Sequence, residues 1–210
     1  LAIGEYAIRQ GQFRYADRRA PLDLQGRDLD LGMELERTAR AYTGRLATKD
    51  LLVSEPFASR VALSLDTEFR LDSGGVVVRR GRLGLERSRI EWSGRLRDFS
   101  SPQVEANFQG ELQLAEFARP LRLPIQPAGQ MSVKGEAVFT SRDDWRVSGT
   151  SRFSSLTYRR DDFQAANIEG GGAWLLSPQG LSVDNLEVRS NGGHFRGQAR
   201  LLEWTHLSVD

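Results

Sequence analysis

Apolar and polar residues alternate along most of this 210-residue chain. Over residues 61–71 an apolar or Thr side chain stands at every odd position, with Ala or polar side chains between them. A strand points successive side chains to opposite faces of its sheet, so this pattern predicts a half-buried strand. Similar runs cover residues 29–35, 104–114, 131–139 and 145–153. The chain is therefore predicted to be all-β.

Turn-forming residues interrupt these runs at short intervals. Asp, Ser, Gly and Pro cluster at residues 72–75, 100–102, 141–144, 159–162 and 177–180. Runs of this length between turns predict about a dozen strands that follow one another as an antiparallel meander.

Two short stretches carry a weak helical signal. Residues 34–42 are expected to curl briefly, and residues 112–117 to form a turn or two. Pro120 ends the second stretch, because Pro has no amide hydrogen to donate within a helix. Neither stretch is long enough to cover the apolar face of a sheet.

A sheet with one apolar face has to shield that face from water. It can pack against a second sheet, close into a barrel, or curl around something apolar. A β-sandwich, an open barrel and an open groove therefore remain as fold classes. Glycine at apolar-face positions predicts sharp curvature or a close approach of neighbouring backbones. These positions are Gly94, Gly110, Gly135, Gly149 and Gly197.

Two distant segments share one pattern of strand, polar turn and strand. When the two segments are aligned with a shift of 103 positions, so that Gly94 matches Gly197, Trp92 aligns with Phe195. Each segment thus has an aromatic residue two positions before a Gly. Self-similarity of this kind predicts a repetitive, extended architecture. We expect residues 1–210 to form a single segment, with repeat units of about 1–100 and 101–210.

Composition excludes several classes of function. The 29 basic and 28 acidic side chains nearly balance, so there is no basic footprint for nucleic acid. The absence of Cys excludes disulfides and thiolate sites and suits an oxidising compartment. The chain begins at Leu1 without an initiator Met and stops within an alternating pattern. We therefore expect a piece of a longer protein whose membrane anchor lies outside this chain.

The sequence offers no set of residues for catalysis or metal binding. His194 and His206 lack acids at ligand spacing, and His194 is expected to be an exposed strand residue. The acidic pairs at 143–144 and 161–162 fall in predicted turns, where Asp is favoured for its bonds to the backbone. Residues 170–172 are three glycines without the Lys and Ser or Thr of a phosphate loop, and indicate a strand bulge. We therefore predict no enzyme, no cofactor and no metal.

The strand-turn-strand units resemble the periplasmic AsmA-like proteins of double-membraned bacteria, especially the TamB group. The resemblance rests on residues 91–94 (EWSG) and 194–197 (HFRG), each with a Gly two positions after an aromatic residue. It also rests on the passage from residues 112–119 into the strand at 129–135. The resemblance implies an extended curled antiparallel sheet, called a β-taco or repeating β-groove, with an apolar concave face.

The resemblance also implies a role. Proteins of this family are similar in being anchored in the inner membrane, from which they bridge the periplasm. It implies that this segment takes part in phospholipid transport and outer-membrane biogenesis, with phospholipid acyl chains as ligands and an Omp85-type barrel protein as partner. An alternative is a scaffold that assists the assembly of outer-membrane proteins, such as autotransporters, by accepting client strands at a sheet edge.

We expect alternate apolar side chains to line the lipid groove. Each methylene group removed from water there contributes about 0.8 kcal/mol. The residues expected to line the groove are Leu63, Leu65, Phe69, Leu83, Leu85, Ile90, Trp92, Phe108, Leu112, Val133, Phe139, Val147, Phe153, Trp174, Leu186, Val188 and Phe195.

Overall fold

Twelve strands form one antiparallel sheet in which each strand pairs with the next along the chain. The computed structural model describes residues 3–17, 22–55, 61–118, 120, 127–141, 143–160 and 163–202. The strands are β1 (Glu5–Asp17), β2 (Leu22–Glu36), β3 (Ala41–Glu55), β4 (Val61–Asp72), β5 (Gly75–Leu85), β6 (Ser88–Arg97), β7 (Gln103–Gln113), β8 (Ala128–Ser141), β9 (Asp144–Arg160), β10 (Phe163–Ser177), β11 (Gly180–Ser190) and β12 (Gly193–Leu202).

The predicted fold class, an extended curled antiparallel sheet, is confirmed. Strands β1 and β12 are the two edges and do not pair with each other, so the sheet is not a closed barrel. All strands of the described ranges belong to this one sheet, which leaves no second sheet for a sandwich. The meander predicted from the turn spacing is also confirmed.

The two stretches with helical signal behave differently. A 3₁₀ helix spans Leu114–Phe117, as predicted. The prediction of a helical turn over residues 34–42 is wrong, because β2 continues to Glu36 and β3 begins at Ala41. Leu35 and Tyr42 are directly opposite each other in this hairpin. Strand geometry therefore keeps both apolar side chains on the same face of the sheet.

The sheet is a single layer with little interior. Its accessible surface is 15219 Å², whereas a compact folded protein of 23.5 kDa would expose roughly 9,800 Å². In the described part of the chain, the buried hydrophobic side chains of the core are those of Ala41, Leu51, Val53 and Val61. Strand pairing and contacts between neighbouring side chains therefore stabilise this fold, rather than a central core.

Cross-strand pairing aligns small or apolar residues into two unbroken rows that run across all twelve strands. Residues directly opposite each other in an antiparallel pair project to the same face, so each row lies on one face, here named the apolar face. The first row is Ile8, Leu31, Leu46, Thr67, Gly81, Trp92, Phe108, Gly135, Gly149, Trp174, Val183 and Ala199. The second row is Tyr6, Met33, Gly44, Phe69, Val78, Gly94, Ala106, Ala137, Val147, Leu176, Leu181 and Leu201.

Aromatic rings on the apolar face lie over glycines of the neighbouring strand. In each of these pairs the ring occupies the space into which a Cβ of the opposite glycine would project. An aromatic side chain that covers a cross-strand glycine shields the exposed backbone and fixes the register. The pairs are Phe13 with Gly26, Phe69 with Gly44, Trp92 with Gly81, Phe108 with Gly135, Phe153 with Gly170, and Trp174 with Gly149.

Bulges bend several of the strands. Gln10, Asp28, Ser155, Asn167 and Asn185 have a positive φ of 50–54°, and each lies at a shift in strand register. An extra residue on one strand bends it and increases the local twist. The curl of the sheet therefore depends on residues that are not glycine as well as on the glycines.

Replacement of Gly94 by Ala should destabilise the sheet. The new Cβ would lie 2.5 Å from the carbonyl oxygen of Glu105 and 3.0 Å from the Cα of Ala106, so β6 and β7 would have to separate. Overpacking of this kind costs about 1–3 kcal/mol. Urea denaturation should show this loss in the free energy of unfolding.

Gly32→Ala is the matched control, because no atom lies within 4 Å of its new Cβ. It should leave the free energy of unfolding within about 0.5 kcal/mol of the wild-type value. Equal losses in both variants would contradict the claim that the β6 and β7 backbones are closely packed at Gly94.

Candidate functional site

All of the residues expected to line the groove lie on the apolar face. Leu65, Leu83 and Ile90 stand opposite one another on β4, β5 and β6. The other predicted residues either belong to the two apolar rows or lie on the same face of their strands as the row residues. All of them are half-buried except Phe139, which is 40% exposed, and Phe195, which is 58% exposed. The structure thus brings them together on one surface, and their role as a lipid-binding groove stays a prediction.

Two aromatic rings meet across the middle of this face. Phe108 on β7 lies over Gly135, and Trp174 on β10 lies over Gly149. With only glycines on the two strands between them, the rings stack at a centroid distance of 6.3 Å and an interplanar angle of 29°. The result is a smooth aromatic surface at the centre of the apolar face.

The two apolar rows contain no charged residue. The apolar face also carries hydroxyls, such as those of Thr67, Ser88 and Ser151. Thr67 is 6% exposed, and its Oγ1 has no hydrogen-bond partner. An apolar molecule that lies along the two rows would therefore cover no charged residue of those rows.

The 3₁₀ helix is attached to the edge of the apolar face. The Glu116 carboxylate accepts hydrogen bonds from Arg87 N at 2.8 Å, from Ser88 N at 3.2 Å and from Ser88 Oγ at 2.6 Å. Ser88 Oγ in turn accepts a bond from Gln113 N at 2.8 Å, and Ser88 is 3% exposed. These bonds place the helix over the turn between β5 and β6, at one end of the face.

The opposite face of the sheet contains an open depression of about 1460 Å³, here named the polar trough. Most of its residues, such as Asp66, Arg82 and Glu91, stand opposite one another on the face that carries the charges. Four predicted groove residues also line it, and each lies on its strand between two trough residues of the charged face. Those four are Leu65, Leu83, Ile90 and Val133.

The trough opens on the charged face rather than on the apolar one. If it opened on the apolar face, the next residues of that face, such as Trp92 and Phe108, would line it, and they do not. The sequence pattern does not indicate this trough. Its charges come from strands far apart in the chain, and their spacing gives no local signal.

Ion pairs occupy part of the trough. Arg45 donates two hydrogen bonds to the Asp66 carboxylate, from Nε at 2.7 Å and from Nη2 at 2.9 Å. Arg82 Nε lies 3.6 Å from Glu91 Oε1. The hydrogen bond from Arg45 lowers the pKa of Asp66 below its ordinary value of 3.8, with Arg82 and Arg80 adding to the effect. Both partners of the Arg45 pair are partly exposed, so its contribution to stability is small.

The other candidate groups behave as the sequence predicted, where they are described. His194 is exposed on β12, opposite Arg189 on the charged face. The glycines at 170–172 lie within β10, where its register with β11 shifts. Asp143 lies in the turn before β9 as predicted, whereas Asp144 is the first residue of that strand. His206 and the acidic pair at 161–162 lie outside the described residues.

Within the described ranges, no group of His, Cys, Asp and Glu side chains could hold a metal ion. None of the helices there is long and apolar enough to cross a membrane.

Comparison with known proteins gives no relative. No protein-family model matches the chain, and no curated protein matches it. No solved structure matches it either.

The pKa of Asp66 should rise when Arg45 is replaced by Gln. A carboxyl with a lowered pKa in the folded state stabilises the fold fully above its ordinary pKa of 3.8. That contribution disappears as the pH falls through the lower value of the folded state. Carboxyl-detected NMR titration of wild type and Arg45→Gln should show the shift toward the ordinary value.

Arg196→Gln is the control for this titration, because Arg196 pairs with Glu187 at 3.0 Å and not with Asp66. It should leave the Asp66 titration unchanged. An Asp66 pKa that does not move in Arg45→Gln would show that the bidentate pair does not persist in solution.

Proposed function

We propose that this chain is a non-enzymatic, lipid-shielding segment of an AsmA/TamB-like bridge between the inner and outer membranes. The observation that carries the proposal is the pair of apolar rows, which cross all twelve strands without a charged residue. No described helix or second sheet covers the apolar face. Phospholipid acyl chains are the ligands that fit such a surface best.

The size of the face supports this ligand. Twelve strands at a spacing of about 4.8 Å give a width of roughly 53 Å, measured along the sheet. The hydrocarbon core of a bilayer is about 30 Å thick, so one acyl chain spans roughly half of that. More than one chain can therefore lie across the strands, and each buried methylene contributes about 0.8 kcal/mol before the costs of binding.

The two apolar rows also support movement of a lipid along the sheet. Each row offers one small or apolar residue per strand, so successive positions present similar surfaces. Conduction of any ligand requires sites that bind neither too weakly nor too strongly. In this proposal the protein acts in the periplasm, from an anchor in the inner membrane, and delivers lipid to an Omp85-type barrel partner.

Asp substitutions on the apolar face should block lipid binding. With a photo-crosslinkable amino acid at Ile90, Leu65→Asp or Phe108→Asp should reduce phospholipid adducts at least tenfold. The reason is that a carboxylate beneath an acyl chain is costly to desolvate. Adducts are counted by mass spectrometry after irradiation of the protein in cells.

Asn107→Asp is the matched control, since Asn107 neighbours Phe108 on β7 but lies on the charged face. It should leave the adducts unchanged, and circular dichroism should show that all three variants keep their strands. Unchanged adducts in Leu65→Asp and Phe108→Asp would rule out the apolar face as the lipid site.

A second candidate function is a scaffold that accepts client strands by β-augmentation. The observation that favours it is the edge strand β12, which pairs only with β11. Three large apolar residues of this strand are exposed, with Phe195 at 58%, Leu201 at 40% and Leu202 at 71%. An edge strand of ten residues that exposes apolar side chains and contains no Pro can pair with another strand.

Crosslinking distinguishes the two functions. A photo-crosslinker at Gln198 on β12 should capture strands of an outer-membrane protein if the scaffold function is correct, and the same probe at Ser93 on β6 should not. Lipid adducts at Ile90 together with no client adducts at Gln198 would exclude the scaffold and favour the lipid-shielding function.

A further inference from the structure

Four donor side chains form a block at one end of the polar trough. On β8 and β9, Ser132 stands directly opposite Arg152, and Lys134 directly opposite Thr150. All four line the trough. Directly opposed residues have Cβ atoms about 5 Å apart, so the four side chains surround one small area of the charged face.

Among the described residues, neither cation of this block has an acid partner, in contrast to two other cations of the trough. Arg45 is bound to Asp66, and Arg82 is paired with Glu91. Within the part of the chain that is described, neither Lys134 nor Arg152 forms an ion pair or a hydrogen bond through its side chain. Lys and Arg can only donate hydrogen bonds, and a hydroxyl can do so as well.

The surroundings leave a positive charge in this part of the trough. Glu111 on β7 stands opposite Ser132, and Arg89 on β6 stands opposite Glu111. Three cations thus face one carboxylate. Glu136, two residues beyond Lys134 on β8, accepts a bond from Ser148 at 3.4 Å and does not line the trough.

We propose that Ser132, Lys134, Thr150 and Arg152 bind a phosphate group. Charge-assisted bonds from Arg and Lys to phosphate oxygens are among the strong hydrogen bonds of proteins. A phosphate group presents three or four acceptor oxygens, which match four donor side chains better than the two oxygens of a carboxylate. The site lies on the face opposite the apolar rows, so it does not depend on the proposed lipid function.

Titration with sodium phosphate at constant ionic strength tests the site. In ¹⁵N-labelled protein, amide signals of residues 132–134 and 150–152 should shift and saturate. Lys134→Gln and Arg152→Gln should each weaken binding about tenfold, which corresponds to the loss of one charge-assisted bond. Arg196→Gln removes an ion-paired cation of the same face and should have no effect.

Two phosphate esters distinguish the source of the group. Tighter binding of glycerol 3-phosphate than of glycerophosphoglycerol supports the site with a free monoester as its ligand, and the reverse supports a phospholipid headgroup. The same spectra report whether each variant is folded. Shifts that do not saturate, or an equal loss of binding in Arg196→Gln, would overturn the proposal.

Discussion

Cross-strand register is the constraint on which the rest of this structure depends. Opposite residues in an antiparallel pair share a face. The continuous pairing from β1 to β12 therefore aligns small and apolar residues in rows on one face and places the charged residues that neighbour them along each strand on the other face. A slip of one residue in any pair would reverse the faces of every strand beyond it. The aromatic rings over glycines, such as Trp92 over Gly81 and Phe108 over Gly135, work against such slips.

The same register gives the sheet two different surfaces. The apolar face lacks a described cover, which leaves the protein with far more surface than a compact fold of its mass. The charged face holds the polar trough, part of which is neutralised by Arg45 with Asp66 and by Arg82 with Glu91. A lipid on one face and a phosphate group on the other would make different demands on the sheet, and the two proposals can be tested separately.

Alternation in the sequence predicted the strands, the meander and the members of the apolar face, because strand geometry has a period of two everywhere. It did not predict register. Trp92 and Phe195 occupy equivalent places in the sequence pattern, yet Trp92 lies over Gly81 of the preceding strand and Phe195 over Gly197 of its own. Bulges such as those at Ser155 and Asn185 shift the pairing without a neighbouring glycine in the sequence. The trough was missed because its charges meet only through pairing between distant residues.

Paramagnetic broadening by a spin-labelled fatty acid tests the central claim, that acyl chains bind the apolar face, most directly. Strand β5 supplies an internal comparison, because Val76 and Val78 lie on the apolar face and Val77 lies between them on the charged face. With ¹³C-labelled methyl groups, the signals of Val76 and Val78 should broaden strongly and those of Val77 should not. Equal broadening of all three, or broadening of Val77 alone, would contradict the account.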